Sequence, residues 1–278
     1  MINWFIHWNA DEIIFSIGPI SLRWYSLMFA LGFMIGYRMM RSFFIREKEN
    51  TDLLDSLLIY LIMGTIIGAR LGHCIFYDWA YYQHHIMEML LPFSFSPSFH
   101  FTGYRGLASH GGAIGILISL WFFSKKYNKP MLWVLDRVVI PVALTGAFIR
   151  LGNLMNSEIV GKPTDVPWAF IFEKLDNVPR HPAQLYESIS YVISFGVLFY
   201  SYWKTDIRFK RGALFGWFLI FIWTARFFIE FVKRSQGGIQ EFFGNILSTG
   251  QLLSIPFIVA GILFVVKARD VRKNNKPT

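Results

Sequence analysis

Residues 146–161 read Gly-Ala-Phe-Ile-Arg-Leu-Gly-Asn-Leu-Met-Asn-Ser-Glu-Ile-Val-Gly, and they carry a cation out of an apolar run into a polar loop. Arg150 and Asn153 are three residues apart, so a helix sets both on one face. Asn156 and Glu158 follow at the exit. A guanidinium inside a membrane segment is costly and ordinarily faces protein or a polar cavity. Its planar fork suits bidentate binding of a phosphate, and it stays charged when buried. The structural alternative is that Arg150 snorkels to the headgroups while Asn153 joins helices.

Other residues offer chemistry of their own. His110 stands in Ala-Ser-His-Gly-Gly-Ala-Ile-Gly. Histidine is the side chain best suited to proton transfer near neutral pH, and the glycines admit a helix or a ligand close to the backbone. Arg226 and Glu230 are four apart, which allows either mutual neutralisation or a shared ligand. Arg70 can bind an anion or cap backbone carbonyls. Ser109-His110 is no hydrolase pair, because neighbours in sequence do not face each other on a helix. The single cysteine, Cys74, excludes an internal disulfide. No His/Cys/Asp cluster has metal-ligand spacing, so neither a metal nor another cofactor is expected. His84-His85 reads as solvated surface.

The elements that must position these residues are apolar. Of 278 residues, 54% are hydrophobic, 18% aromatic and only 16% charged, with a mean hydropathy of +0.40. The chain therefore reads as an all-α integral membrane protein forming one polytopic domain over 1–278. The first residues lack a basic stretch followed by a cleavable small-residue site, so no secretory signal peptide is expected in them. Residues 1–19 are amphipathic and aromatic, suited to lying along a membrane surface. About seven spans are expected, near 20–41, 53–76, 106–124, 133–155, 184–203, 212–233 and 247–267. They are helical because lipid cannot satisfy an open backbone.

The net charge of +9 does not point to nucleic acid, because the basic residues fall in short clusters between apolar runs. Arg38, Arg41, Arg46 and Lys48 fill the first connection; Lys125, Lys126 and Lys129 the third; Lys204, Arg208, Lys210 and Arg211 the fifth. Lys267, Arg269, Arg272, Lys273 and Lys276 end the chain. The alternate connections are poorer in base, as with Arg105 against Asp78 and Glu88. The bias sets the N-terminus outside and the C-terminus in the cytoplasm.

With that orientation, Tyr25, Arg70, His110, Arg150, Asn153, Gln184, Glu187, Arg226 and Glu230 all fall in the outer halves of their spans. Such one-sided clustering points to a polar cavity open toward the outer face, rich enough in arginine for an anionic lipid headgroup. Residues 180–187, Arg-His-Pro-Ala-Gln-Leu-Tyr-Glu, lead into a span. Pro182 suits its first turn, and Glu187 suits its positive end.

At these residues the chain resembles the bacterial prolipoprotein diacylglyceryl transferases over nearly its whole length. The resemblance rests on Phe15-Ser16-Ile17-Gly18-Pro19 with Trp24-Tyr25, on Gly68-Ala69-Arg70-Leu71-Gly72, and on His110-Gly111-Gly112. It continues in Arg150-Leu151-Gly152-Asn153 with Asn156, Glu158 and Gly161, in the 180–187 block, in Arg226-x-x-x-Glu230-Phe231, and in the segment from Gly250 to Pro256. Departures lie at Ile222-Trp223, where the family pattern has a tyrosine, at His73, and at Lys233-Arg234.

The resemblance implies a multi-pass enzyme of the bacterial cytoplasmic (inner) membrane with its active site toward the outer face. It implies transfer of diacylglyceryl from phosphatidylglycerol to the lipobox cysteine of a preprolipoprotein signal peptide, with glycerol 1-phosphate released. The family's phosphatidylglycerol-binding arginine maps to Arg150, its essential histidine to His110 and its second essential arginine to Arg226. Tyr25, Arg70, Asn153, Asn156, Glu158 and Glu230 are the further candidates for substrate contact. An anionic-lipid transporter or flippase, or a non-catalytic lipid-binding membrane protein, would use the same charges. The transporter should also need polar residues reaching the cytoplasmic side.

Overall fold

The computed structural model describes residues 5–18, 20–95, 98–101, 106–234 and 247–272. Pro19, Arg105, Lys273 and Lys276 lie outside the described residues. The chain is mostly helical, and each of the seven expected spans coincides with a long helix. These are α1 (Trp24–Arg46), α2 (Leu53–Phe76), α5 (Ser109–Lys126), α6 (Met131–Met155), α7 (Ala183–Lys204), α8 (Ala213–Ile229) and α9 (Thr249–Lys267). Two short helices, α3 (Trp79–Tyr82) and α4 (Ile86–Leu90), follow α2. Among the described residues three helices, α2, α6 and α9, are long and apolar enough to cross a membrane, and α8 is a shorter apolar helix.

The described N-terminal residues pair as strands, a feature their amphipathic, aromatic composition did not reveal. Strand β1 (Ile6–Trp8) runs parallel to β6 (Phe170–Phe172), which pairs antiparallel with β7 (Pro179–Arg180). Strands β2 (Ile13–Ile17) and β3 (Ile20–Arg23) form a hairpin, with Gly18 at φ +57° opening its turn. Helix α1 consequently starts at Trp24, four residues later than the composition indicates. A left-handed φ is open to glycine at no steric cost, and it suits a tight hairpin turn.

The chain divides into two compact units, residues 1–40 with 135–278, and residues 41–134. In the first, the small sheet covers a core of Leu154, Val160, Phe170 and Phe172, with Trp8 and Leu185 packed against it. The Trp8 indole N–H donates to the Leu154 carbonyl (2.9 Å), tying the first strand to the end of α6. At the opposite end of α6 the buried Asp136 carboxylate accepts the Gly212 (2.7 Å) and Phe215 (2.9 Å) N–H groups. It thereby satisfies donors that the first turn of α8 would leave orphaned. Helices α8 and α9 meet at Gly216 and Gly261, where a Cβ on Gly216 would come within 2.7 Å of the Gly261 carbonyl. Trp223 stacks on Phe257 across the same pair, with ring centroids 4.2 Å apart.

In the second unit α2 and α5 pack along glycine. Gly64, Gly68 and Gly72 recur every fourth residue on α2; Gly111 and Gly115 do so on α5, followed by Ser119. A Cβ on Gly72 would stand 2.6 Å from the Gly111 Cα, and one on Gly68 would stand 2.7 Å from the Gly115 Cα. Repeated small residues at this spacing let two backbones touch, the arrangement that favours helix pairing where water offers no driving force.

Candidate functional site

In the first unit the polar residues gather where α1 begins, α6 ends, α7 begins, α8 ends and α9 begins. Arg150 is the hub. Its Nε lies 2.7 Å from Glu187 Oε2, and its Nη1 donates to Asn153 Oδ1 (3.1 Å). Glu187 is fully buried, so this carboxylate has exchanged water for protein cations. Glu187 and Tyr191 are one turn apart on α7. The buried Tyr191 hydroxyl meets the same guanidinium, which α7 therefore grips at two places. The Tyr191 ring fits because residue 146 is glycine: a Cβ there would come within 3.0 Å of it. The ring of Tyr25, on the first turn of α1, lies against Gly152 at the same 3.0 Å. It thus stands beside Arg150 and Glu158.

A second set of charges continues from Glu187. Lys233, only 4% exposed, places its Nζ 3.5 Å from Glu187 Oε1 and 3.5 Å from Glu230 Oε2. Arg150, Glu187, Lys233 and Glu230 thus alternate in sign. Alternation of this kind is what makes buried charge tolerable, since an unpaired buried ion is far more costly. Glu230 also lies against the start of α9, where a Cβ on Gly250 would meet its carboxylate at 2.5–2.8 Å. The Arg226 guanidinium lies over the Trp223 ring, 5.5 Å from its centroid. Its buried Nε has no hydrogen-bond partner among the described residues.

The loop after α6 shapes the edge of this cluster. Asn153 Nδ2 donates to Glu158 Oε2 (3.1 Å), and Asn156 Nδ2 to Glu158 Oε1 (3.3 Å). The two residues flanking Glu158 are both left-handed, Ser157 at φ +54° and Ile159 at φ +57°. For a β-branched residue such as Ile159 this is an unfavourable conformation, of the kind held only where surrounding bonds over-determine it. Those bonds are visible. Gln184 donates to the Glu158 carbonyl. The Gly161 N–H donates to the His181 carbonyl (2.9 Å), and Lys162 N–H to the Val232 carbonyl (2.7 Å). Residues 160–162 thereby join the loop before α7 to the chain around Lys233. Further out, Arg180 Nη2 pairs with Asp176 (2.5 Å), and this guanidinium holds the Asp176 carboxyl below the usual range. Desolvation pushes the neighbouring His181 imidazole below its usual value.

Of the expected site residues, Tyr25, Arg150, Asn153, Asn156, Glu158, Arg226 and Glu230 belong to the first unit, while Arg70 and His110 belong to the second. His110 is exposed on the first turn of α5, beside Gly111 of the glycine seam. Arg70, 4% exposed, spends its donors on protein: Nη2 on the Glu88 carbonyl (2.7 Å) and the Tyr82 hydroxyl (3.0 Å), Nε on the Met89 carbonyl (3.1 Å). That is the carbonyl-capping arrangement.

Glu187, Tyr191 and Lys233 complete the cluster and were not among the expected contact residues. Glu187 and Tyr191 had a signal, their i,i+4 spacing on one apolar helix. Lys233 had no periodic signal, since it follows α8 in an irregular turn; its one mark was the departure of Lys233-Arg234 from the family pattern.

The model of the family described as prolipoprotein diacylglyceryl transferase matches residues 12–267. A Tolumonas auensis protein named phosphatidylglycerol–prolipoprotein diacylglyceryl transferase is 44% identical over 262 residues, covering 94% of this chain and 96% of its own. Proteins of the same name from Bacteroides fragilis and Chloroherpeton thalassium are each 45% identical. They cover 94% and 95% of this chain, and 94% of their own length in both cases. The match takes in both units and every residue of the charged cluster, and the chain belongs to the prolipoprotein diacylglyceryl transferase family.

Proposed function

We propose that the chain is a phosphatidylglycerol–prolipoprotein diacylglyceryl transferase of the bacterial inner membrane, catalysing the lipid-transfer step of lipoprotein maturation. All seven long helices span the bilayer in this reading, with the N-terminus outside and the active site toward the outer face. The observation that carries it is Arg150, oriented by Glu187 and Asn153 at the end of α6, in a chain matching that family from residue 12 to 267.

The reaction is substitution at the glycerol carbon that bears the phosphate. The thiol of the acceptor's lipobox cysteine loses its proton, a C–S bond forms and the C–O bond breaks. The electron pair leaves on glycerol 1-phosphate. A thiolate is the competent nucleophile. Arg150 and Arg226 hold the phosphate and stabilise the charge that grows on the departing oxygen. Glu187 fixes Arg150 at Nε, leaving the outer edge of the fork for the ligand. Arg226, with an unpartnered buried Nε, is short of acceptors that a phosphate supplies. Tyr25, Asn153, Asn156 and Glu158 bind glycerol hydroxyls, and Glu230 steadies Arg226 and Lys233. His110 takes the thiol proton or orients the headgroup. Arg70 contributes through the segment that it holds against α2.

The test uses the purified full chain in detergent with phosphatidylglycerol and a lipobox peptide, following release of glycerol phosphate. Release that requires both Arg150 and the peptide thiol supports the transferase. Absence of release from folded wild-type protein that still binds the lipid overturns it in favour of a transporter or lipid-binding protein.

A further inference from the structure

The segment after α2 is built inside out. Its one buried carboxylate, Glu88, is within, while Asp78, Gln83 and His84 are exposed. Arg70 reaches from α2 to the carbonyls of Glu88 and Met89. The Glu88 carboxylate, 6% exposed, accepts the Phe95 N–H (2.7 Å), the Tyr81 hydroxyl (2.8 Å) and the Ser94 hydroxyl (3.3 Å). The Phe95 N–H in particular holds the Glu88 carboxyl below the usual range. The large apolar side chains are outside: Ile86, Met87, Phe99 and Phe101 are each 68–71% exposed. Residues 77–101 contain no lysine or arginine, and Asp78 is their one carboxylate besides Glu88.

In water this arrangement forfeits the burial of four large apolar side chains. At the boundary between headgroups and acyl chains it is the favourable one, since apolar groups enter the hydrocarbon while tyrosine, tryptophan and histidine meet the headgroups. The surface is continuous with one that lipid already explains. Helix α2 is long and apolar enough to cross a membrane. Its outward Ile59, Met63 and Ile75 are exposed, and so is Phe76, its last residue. Trp79 and Tyr81, both exposed, carry that surface from Phe76 to Ile86 and Met87, with Asp78, Gln83 and His84 exposed among them.

We propose that residues 76–95 and 98–101 form an interfacial anchor, seated by its outward apolar face in the leaflet at which α2 ends, with Arg70 and Glu88 as its internal clasp. The occupant of that face is the bilayer itself, and the anchor fixes the depth and tilt of α2.

Spin labels on the full chain in phosphatidylglycerol/phosphatidylethanolamine nanodiscs test this. Met87→Cys and Phe99→Cys are labelled, with Lys48→Cys, in the exposed polar turn between α1 and α2, as the aqueous reference. Cys74 is fully buried and stays silent. The expected result is that labels at 87 and 99 collide more with dissolved oxygen than with a water-soluble nickel chelate, while the label at 48 does the reverse. Nickel-dominated collisions at 87 and 99 would place the face in water and overturn the proposal. Protection of both labels from both reagents would place protein over the face and overturn it equally. The labelled positions are surface side chains, so a folding defect is not expected, and native helix content of each variant is the control.

Discussion

Glu187 Oε2 lies 2.7 Å from Arg150 Nε while Glu187 Oε1 faces Lys233 Nζ at 3.5 Å, so one fully buried carboxylate joins α6 to the chain beyond α8. Replacing it by the isosteric amide keeps the volume and removes the charge. Glu187→Gln should destabilise the protein by about 3–5 kcal/mol, the range for stripping one partner from a buried pair. Denaturant unfolding in detergent measures this, and glycerol phosphate release should fall with it.

Lys233 holds two carboxylates apart. Lys233→Met leaves Glu187 and Glu230 without the cation between them, Glu187 keeping only Arg150, and should destabilise by a similar amount, about 3–5 kcal/mol. Lys233→Arg keeps the charge and should recover most of the loss. Equal destabilisation by both substitutions would show that the site responds to shape and not to charge.

Tyr191→Phe keeps the ring against Gly146 and removes only the hydroxyl that meets Arg150. A hydrogen bond to a charged group is worth about 1.5–3 kcal/mol, so kcat/KM should fall about ten- to a hundredfold. The melting temperature should fall as well, by roughly 2–4 °C for each kcal/mol lost. The two side chains act as one unit, so adding Tyr191→Phe to Arg150→Lys should cost little more than Arg150→Lys alone. Full additivity would separate Tyr191 from Arg150.

The α2–α5 seam gives a contrast between adjacent glycines. A Cβ at 111 would press on the α2 backbone, with Gly72 Cα at 2.7 Å, whereas one at 112 would meet Ala69 at an ordinary 3.5 Å. Gly111→Ala should cost about 1–3 kcal/mol through overpacking, and Gly112→Ala should be close to neutral. Thermal unfolding of the two variants is the measurement.

Acid should loosen the 163–180 loop in a defined direction. Arg180 depresses the folded-state value of Asp176, so the folded loop binds the Asp176 proton less readily than the unfolded chain does. The stabilisation is complete above the ordinary aspartate value of about 3.9 and is lost as pH falls through the depressed folded value. Hydrogen exchange of β6 and β7 should stay slow at neutral pH and quicken only in strong acid. Asp176→Asn should remove that step.

The helices were readable because lipid imposes length, and a run of about 20 apolar residues leaves few other options. Each expected span coincides with a helix. Arg150, Asn153, Arg226 and Glu230 were legible for a related reason, since a charged or amide side chain in such a run stands out. The strands were not. Ile6–Trp8 pairs with Phe170–Phe172 across more than 160 residues, and three-residue strands are too short to display a period. Lys233 was hidden for want of periodicity around it, and Arg70 shows that a buried cation can be read correctly as buried while its acceptors, carbonyls of a later loop, leave no mark in the sequence.

Where Gly68 and Gly72 meet Gly111 and Gly115, the seam between α2 and α5 has no rotamers. Side chains that interlock lose conformational freedom when helices meet and can later shift between wells; a backbone laid on a backbone does neither. At those contacts the crossing has no alternative rotamer packing to move between. His110, one residue from Gly111, takes its height along α2 from a contact of backbone on backbone.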